Sequence, residues 1–312
     1  MSFDIIGDVH GQADKLEALL QAMGYRKRAG SYQHPHRTAI FVGDYIDRGP
    51  RQLDTYRIVW SMVESGDAQA ILGNHEFNAI AWNMPDPEVQ DELQYLRPRH
   101  GDQGARNRHQ HRHFLAEVEG TAQHDEAIEW FLTLPLWLDL PELRVVHACW
   151  HDGYIVELQP LLGPSRTLTP ELMVRASRRE DPVFRAVEGL TKGIEVALPD
   201  GHMFLDKDGH ERRNVRIRWW DEGGSSFREL ALMPEQERMA LPDLRVPEEA
   251  RPVYDQRKPV FIGHYWLSGA PALQSERIAC VDYSAGKGGP LVAYRWDGEP
   301  TLDANHFHVQ EP

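Results

Sequence analysis

Five short motifs rich in Asp, His and Gly lie in order along this chain, and most of them sit where an apolar run ends. They are Asp8-Val9-His10, Gly43-Asp44-Tyr45-Ile46-Asp47-Arg48-Gly49, Gly73-Asn74-His75-Glu76, His147, and Gly263-His264. An open α/β sheet presents its ligands at the ends of its strands, so the pattern calls for strands that deliver these groups to one place. The set supplies two carboxylates, an amide oxygen and three imidazoles, which is what two adjacent divalent cations need for about four to six ligands each. Asp8 and His264 then belong to one site, so the core cannot be divided near residue 150. The expectation is a single catalytic domain over residues 1–312, with a helical cap segment at 84–142 and an insertion at 155–258 within it.

Local patterning places the motifs. Phe3 to Ile6 is an apolar run that stops at Gly7-Asp8, as a buried strand feeding a loop does. Leu16, Leu19, Leu20 and Met23 fall at i, i+3, i+4, i+7, and Gly24 sits where a helix stops. Ala39 to Val42 predicts a second strand, the spacing of Tyr56, Val59, Trp60 and Val63 a second helix, and Ala70 to Leu72 a third strand. This alternation argues for parallel or mixed strands with right-handed crossovers. Leu93 to Glu119 reads as helical, and Leu143 to Val146 as the strand that delivers His147. Within the insertion, Pro160, Pro164 and Pro170 predict a loop and Glu171 to Arg185 a charged helix. Met203 to Leu205 and Val215 to Ile217 predict a hairpin about Asp208-Gly209. Asp206 to Gly209 is read as that turn and not as a calcium loop, since no glutamate follows at the required spacing. Val260 to Ile262, Ile278 to Val281 and Leu291 to Tyr294 close the core.

Composition narrows the partners. A hydrophobic fraction of 41% supports a sizeable core, while the net charge of −14 argues against a general nucleic-acid or membrane surface. It leaves room for a phosphorylated small molecule, because bound cations reverse the field locally. Cys149 and Cys280 are the only cysteines, and no CxxC occurs. With no signal-like start and no bilayer-spanning run, the expectation is a soluble, cytoplasmic protein.

The chemistry follows from the donors. Asp8 and His10 can both reach a cation from the loop after a strand, and the two oxygens of Asp44 can bridge two cations. Asn74 offers a neutral oxygen, and His147 and His264 offer imidazoles. This mixed N/O set suits Mn²⁺, Fe or Zn²⁺ better than Ca²⁺ or Mg²⁺. Two such cations roughly 3.5–4 Å apart acidify a water and clamp phosphoryl oxygens. His75 is then placed to protonate a leaving oxygen, with Asp47 orienting the imidazole. The planar fork of Arg48 suits phosphate.

The strings Gly7-Asp8-Val9-His10-Gly11, Gly43 to Gly49 and Gly73 to Glu76 resemble the signature of the calcineurin-like metallophosphoesterase superfamily in its PPP form. That form includes serine/threonine protein phosphatases, bacterial PrpE-like phosphatases and symmetrical diadenosine-tetraphosphate hydrolases. The resemblance covers residues 3–83, 143–154 and 259–296. It implies an α/β fold, a four-layer β-sandwich flanked by helices, here with a large insertion. By matching position, Asp8, His10 and Asp44 would hold one metal, and Asp44, Asn74, His147 and His264 the other, with Mn²⁺ the first expectation for both. His75 with Asp47 would be the acid pair and Arg48 a phosphate ligand. The chain departs from the eukaryotic protein phosphatases at two motifs. It has His147-Ala148-Cys149 where they continue His-Gly-Gly, and Gly263-His264-Tyr265 where they have Gly-His-Thr.

The implied activity is that of a dinuclear metal-dependent phosphohydrolase on a small phosphorylated or nucleotide substrate. Two alternatives are a serine/threonine protein phosphatase and a catalytically retired binding protein, though the latter would need lost ligands or a lost acid. Between Leu96 and Leu115, five arginines face Asp102 alone, alongside His100, His109, His111 and His113. Arg99 and Arg106 are therefore candidate contacts to a phosphate beyond the scissile one, against the plainer reading of a solvated helical face. Plainer readings exist elsewhere too. Asp8, Asp44 and Asn74 could be helix caps; Trp219-Trp220 could be packing and not a base platform; His151 could be a surface group and Cys149 inert.

Overall fold

Alternation at every second residue divides the core of this chain into two compartments. The computed structural model describes residues 2–89, 94–205, 211–252 and 254–311. In chain order, β1 (Phe3–Ile6) leads to α1 (Ala13–Ala22), a hairpin of β2 (Arg26–Arg28) and β3 (Ser31–Gln33), β4 (Thr38–Phe41), α2 (Gln52–Glu64) and β5 (Ala68–Ala70). The helices α3 (Asn74–Asn83), α4 (Gly101–Val118) and α5 (Ala122–Leu132) follow, then β6 (Trp137–Asp139) and β7 (Arg144–Val146). Next come α6 (Asp152–Leu162), α7 (Pro170–Ala176) and α8 (Pro182–Lys192), with β8 (Glu195–Ala197), β9 (Phe204–Leu205), β10 (Glu211–Arg212) and β11 (Asn214–Arg216). The last strands are β12 (Val260–Ile262), β13 (Ile278–Cys280), β14 (Leu291–Trp296) and β15 (Phe307–Gln310).

One sheet has the order β15-β14-β1-β4-β5 and the other β13-β12-β7-β6. Ile5, Ile40, Val145, Phe261, Ala279 and Tyr294 pack together between them. Their chain neighbours Ile6, Phe41, Val146, Ile262 and Cys280 join the second compartment, under the helices. Burying each large apolar side chain is worth about 1.5–3 kcal/mol, and a one-residue slip would exchange the two faces, so the register is firmly set. β1, β4 and β5 run parallel, as do β7, β12 and β13. Asp8, Asp44, Asn74, His147 and His264 therefore all leave from the carboxyl ends of parallel strands. This is the sandwich flanked by helices that the motifs imply.

Several local expectations need correction. The strand expected at Ala70 to Leu72 is Ala68–Ala70. Pro160 lies inside α6 and not in a loop; burial of Ile155, Leu158 and Leu162 offsets the hydrogen bond that proline cannot donate. The single helix expected from Glu171 to Arg185 is two helices, because Asp181 caps Val183 N at 2.8 Å and Pro182 starts α8. β9 pairs with β10, whereas the strand at Val215 pairs with β8, so the expected hairpin has a different second arm. The Asp206 to Gly209 turn and Leu93 itself lie outside the described residues, and the helix expected from Leu93 begins only at Gly101, residues 94–100 being non-helical. The expected cap segment ends in β6, an edge strand of the second sheet. No helix among the described residues is long and apolar enough to cross a membrane.

Candidate metal centre and active site

The loops that leave these strands bend through backbone that side chains rarely adopt. His10, Asp44, Asp47, Arg48 and His264 have φ of 49°, 55°, 71°, 69° and 70°. Such residues cost about 1–3 kcal/mol each and persist only where surrounding contacts fix them. Glu76 supplies much of that fixation, since its carboxylate accepts from Asp44 N and Tyr45 N at 2.8 Å each and from Gly73 N at 3.2 Å. Glycine is needed at two close approaches. A Cβ on Gly43 would meet Gly73 Cα at 2.7 Å, and one on Gly263 would meet Asp8 Oδ1 at 2.0 Å.

Asp44 is the hub. Its Oδ2 lies 3.7 Å from His10 Nε2 and 3.9 Å from His75 Nε2, and its Oδ1 lies 3.4 Å from His147 Nε2. The His10 and His147 rings are oriented from behind, by Nδ1 bonds to Ile46 O at 2.9 Å and Val42 O at 2.7 Å. The Asn74 side-chain oxygen sits 2.7 Å from His264 Nδ1 and 3.2 Å from His147 Nε2. Burial lowers His10 to about 3 and also holds His264 well below the usual imidazole range. Both rings are thus neutral, with a lone pair to offer. Burial, reinforced by Asp282 and Asp44, raises the Asp8 carboxyl. Burial would also raise Asp44, but the imidazoles of His147 and His75 outweigh it and hold that group well below the ordinary value. Against burial, the Asp44 carboxylate lifts His147 to about 10. The carboxylates demand positive charge.

These residues fit a pair of cations. Asp8 Oδ1, His10 Nε2 and His264 Nε2 are buried side-chain atoms with no hydrogen-bond partner, and a buried unpaired polar atom ordinarily costs about 1–3 kcal/mol. Among the described residues, two groups have donor atoms within 4.8 Å of one another: His10, Asp44 and His75, and Asp44, His147 and His264. Asp44 belongs to both, as a bridging carboxylate would. The first group includes His75 in place of Asp8. His75 is distinguished by its Nδ1, which meets Asp47 Oδ2 at 2.5 Å and leaves Nε2 facing the site. Burial lowers its proton affinity, yet Asp44 and Asp47 outweigh that and raise it.

Arg48 lies with its guanidinium 4.2 Å from the Trp266 ring centroid, at the edge of a cleft of about 830 Å³. Arg97, Arg112, Arg179 and Lys192 also line this cleft, with Glu195. Arg99 and Arg106 do not. Arg99 stacks 3.4 Å from the Tyr95 ring centroid and donates to Trp82 O, on a different depression beside His124. Arg106 is exposed and bonds Gln103 Oε1 at 2.9 Å. For Arg106 helical phase decides this, since the buried positions Asn107, His111 and Phe114 set which side of α4 faces inward; Arg99 precedes α4 and is held by Tyr95 and Trp82.

Other sequence candidates resolve simply. Trp219 and Trp220 are buried, and Trp219 Nε1 donates to Ala148 O and the Tyr265 hydroxyl at 3.1 Å each. His151 caps α6 by accepting from Tyr154 N at 3.2 Å. Cys149 is a buried free thiol whose ionisation burial opposes. Three residues at the site carried no assigned role in the sequence reading. Asp282 is buried and accepts from Trp266 N at 2.7 Å and Ser284 N at 2.9 Å. Its signal was available, because it follows the apolar run Ile278 to Val281 as Asp8 follows Phe3 to Ile6. Glu76 lay within a motif already singled out; its bond to Gly73 N is the N3 half of a capping box, whereas its reach to Asp44 N is a tertiary contact. His111 gave no signal beyond membership in a histidine-rich stretch.

The family model for calcineurin-like phosphoesterases matches residues 1–186. Over 165 residues the chain is 42% identical to a bis(5'-nucleosyl)-tetraphosphatase PrpE (asymmetrical) of Bacillus cereus, covering 50% of this chain and 60% of that protein. It is 34% identical over 154 residues to the protein of the same name from Oceanobacillus iheyensis, covering 49% of this chain and 56% of that one. The chain thus spans little more than half the length of these relatives. Their names specify asymmetrical cleavage, whereas the motif resemblance reaches symmetrical hydrolases. A protein serine/threonine phosphatase from Saccharomyces cerevisiae shares the fold, with TM-score 0.50, 15% identity, and coverage of 100% of this chain and 80% of that one.

Proposed function

The chain belongs to the calcineurin-like phosphoesterase family, which uses a dinuclear divalent-metal site, and from that premise we propose that it hydrolyses a nucleotide carrying several phosphates. The observation that carries the reading is Asp44, whose carboxylate belongs to both donor groups, His10–Asp44–His75 and Asp44–His147–His264, beside the Asp47–His75 pair. Asp8, His10 and Asp44 would hold one cation, and Asp44, Asn74, His147 and His264 the other. When bound, such a pair acidifies water and polarises the phosphoryl oxygens. The mixed nitrogen and oxygen donors support Mn²⁺, with Fe or Zn²⁺ as alternatives.

The chain's own groups complete the reaction. With Nδ1 donated to Asp47, His75 carries its transferable proton on Nε2, the nitrogen that faces Asp44, and delivers it to the leaving oxygen. Arg48, held against Trp266, grips the scissile phosphoryl group. Arg97, Arg112, Arg179 and Lys192 line the adjoining cleft and would bind phosphates further along the substrate. The names of the PrpE relatives support a dinucleoside tetraphosphate as that substrate. Arg179 and Lys192 come from the 155–258 insertion, which supports one catalytic domain over residues 1–312. The two buried free thiols support a reducing, cytoplasmic setting.

The test is a substrate screen of metal-reconstituted protein against dinucleoside polyphosphates, phosphopeptides and aryl phosphates. The highest kcat/KM is expected on the polyphosphate. A preference for phosphopeptides would overturn the substrate class, and no turnover of any of them with two metals bound would overturn the activity.

A further inference from the structure

We propose that His111, from α4, is a positioning residue that fixes the Asp47 carboxylate so that Asp47 in turn orients His75. This rests on the reading of His75 as the acid. None of the five motifs reaches α4, so the contact is a product of the fold.

Asp47 is gripped through both oxygens. His111 Nδ1 lies 2.7 Å from Oδ1 and 2.7 Å from Oδ2, while His75 Nδ1 meets Oδ2 at 2.5 Å. An ionised carboxylate only accepts, so both imidazoles present their Nδ1 hydrogens to it. The Asp47 backbone is pinned as well, with its N–H donated to Gln52 Oε1 at 2.5 Å. What remains free without His111 is rotation of the carboxylate about its side-chain bonds. A carboxylate held by His75 alone can turn with the ring it is meant to orient, and a second donor on both oxygens removes that freedom.

Packing does not explain a histidine here. His111 is buried beside Phe114, with ring centroids 5.6 Å apart, and its Nε2 is itself a buried atom without a partner. An apolar side chain would fill the space without leaving that nitrogen unsatisfied. A ligand role does not explain it either, since His111 belongs to neither donor group and its Nδ1 is engaged by Asp47. The next residue, Arg112, lines the cleft, and Gln110 accepts from Arg97 at 2.7 Å. The turn of α4 that holds the acid pair thus also faces the cleft where outer phosphates are proposed to bind.

His111→Leu removes the donor and His111→Asn retains a nitrogen in the place of Nδ1. Each is measured for metal content and for kcat and KM on a dinucleoside polyphosphate and on p-nitrophenyl phosphate, whose leaving group needs little protonation. His111→Leu is expected to keep two metals, to lower kcat on the polyphosphate about 10–100-fold, the usual worth of an outer orienting partner, and to spare the aryl phosphate. His111→Asn restores most of the loss. In an Asp47→Asn background, His111→Leu costs less than about twofold, because a residue acting only through Asp47 has nothing left to act on. If His111→Leu does not fold, His111→Gln keeps the bulk, misplaces the donor by one bond and shows the same pattern. Unchanged kcat on the polyphosphate, an equal loss on both substrates, an undiminished loss in the Asp47→Asn background or lost metal each overturn the proposal. A His75→Gln control without leaving-group dependence removes the acid assignment itself. A His75→Gln control with that dependence, beside a silent His111→Leu, removes only the role of His111.

Discussion

The backbone N–H of His264 donates to Asp8 Oδ2 at 3.0 Å, closing the site across 256 residues of chain. One oxygen of Asp8 is used structurally, and the other has no hydrogen-bond partner. The same corner has no room for a side chain on Gly263, where a Cβ would stand 2.0 Å from Asp8 Oδ1. Gly263→Ala is therefore expected to lower stability by about 1–3 kcal/mol, the usual cost of overpacking, and to weaken metal binding. Thermal melts with and without metal check both effects; an unchanged midpoint and unchanged metal content would show that the corner yields.

Divalent metal is expected to stabilise the fold, because it supplies the charge that buried Asp8 and Asp44 call for. Binding to the folded state alone contributes about 2.7 kcal/mol at a hundredfold excess over Kd. The thermal midpoint should rise with Mn²⁺ and fall with a chelator. Asp44→Asn should abolish the rise and lose both ions, since one carboxylate serves both groups. Two ions retained at wild-type affinity in that variant would end the bridging assignment.

His75→Gln is expected to keep the metals and to slow turnover about 10²–10⁴-fold, the usual range for general acid catalysis. The loss should shrink for p-nitrophenyl phosphate. Equal losses on good and poor leaving groups would contradict the acid role.

Arg112→Ala and Arg179→Ala are expected to raise KM for a dinucleoside polyphosphate about tenfold or more, since charge-assisted contacts are worth about 1.5–3 kcal/mol each. Hydrolysis of a simple aryl phosphate should hardly change. Arg99→Ala and Arg106→Ala, on residues that do not line the cleft, should leave KM near the parent value. The reverse ranking would relocate the phosphate path.

Arg144 donates to Asp255 Oδ1 at 2.7 Å and Oδ2 at 3.3 Å, and it lies 4.6 Å from the Trp150 ring centroid. Burial would raise the Asp255 carboxyl, but the Arg144 hydrogen bond outweighs it and lowers the value. A carboxyl depressed by folding contributes stability above its unfolded value of about 3.9 and loses it as pH falls through the lower folded value. Arg144→Met should therefore flatten the acid limb of stability below about pH 4. Urea midpoints from pH 6 to pH 3 report this as a gap between parent and variant that narrows on acidification. A gap that stays constant would assign Arg144 a packing role alone.

Much of this molecule was legible from short stretches of chain. An Asp or His directly after an apolar run, or one glycine beyond it, identified β1, β4, β7 and β12 together with the groups they deliver. Strand alternation and the end of a strand are local properties, so sequence reports them well. Asp282 obeyed the same rule and was readable on it.

Tertiary structure decided the rest. Arg99 and Arg112 share one arginine-rich segment, yet one stacks on Tyr95 and the other lines the cleft. The inward face of α4 is fixed by burial of Phe114, Leu115 and Val118, with α4 packed against α2 and α5. That same packing presses His111 onto Asp47, 64 residues away. The chain alone fixed which donors exist and which strand ends carry them, because those depend on residues a few positions apart. Which side chains meet across the cleft depended on the docking of whole helices, a sum over many distant contacts that no local pattern encodes.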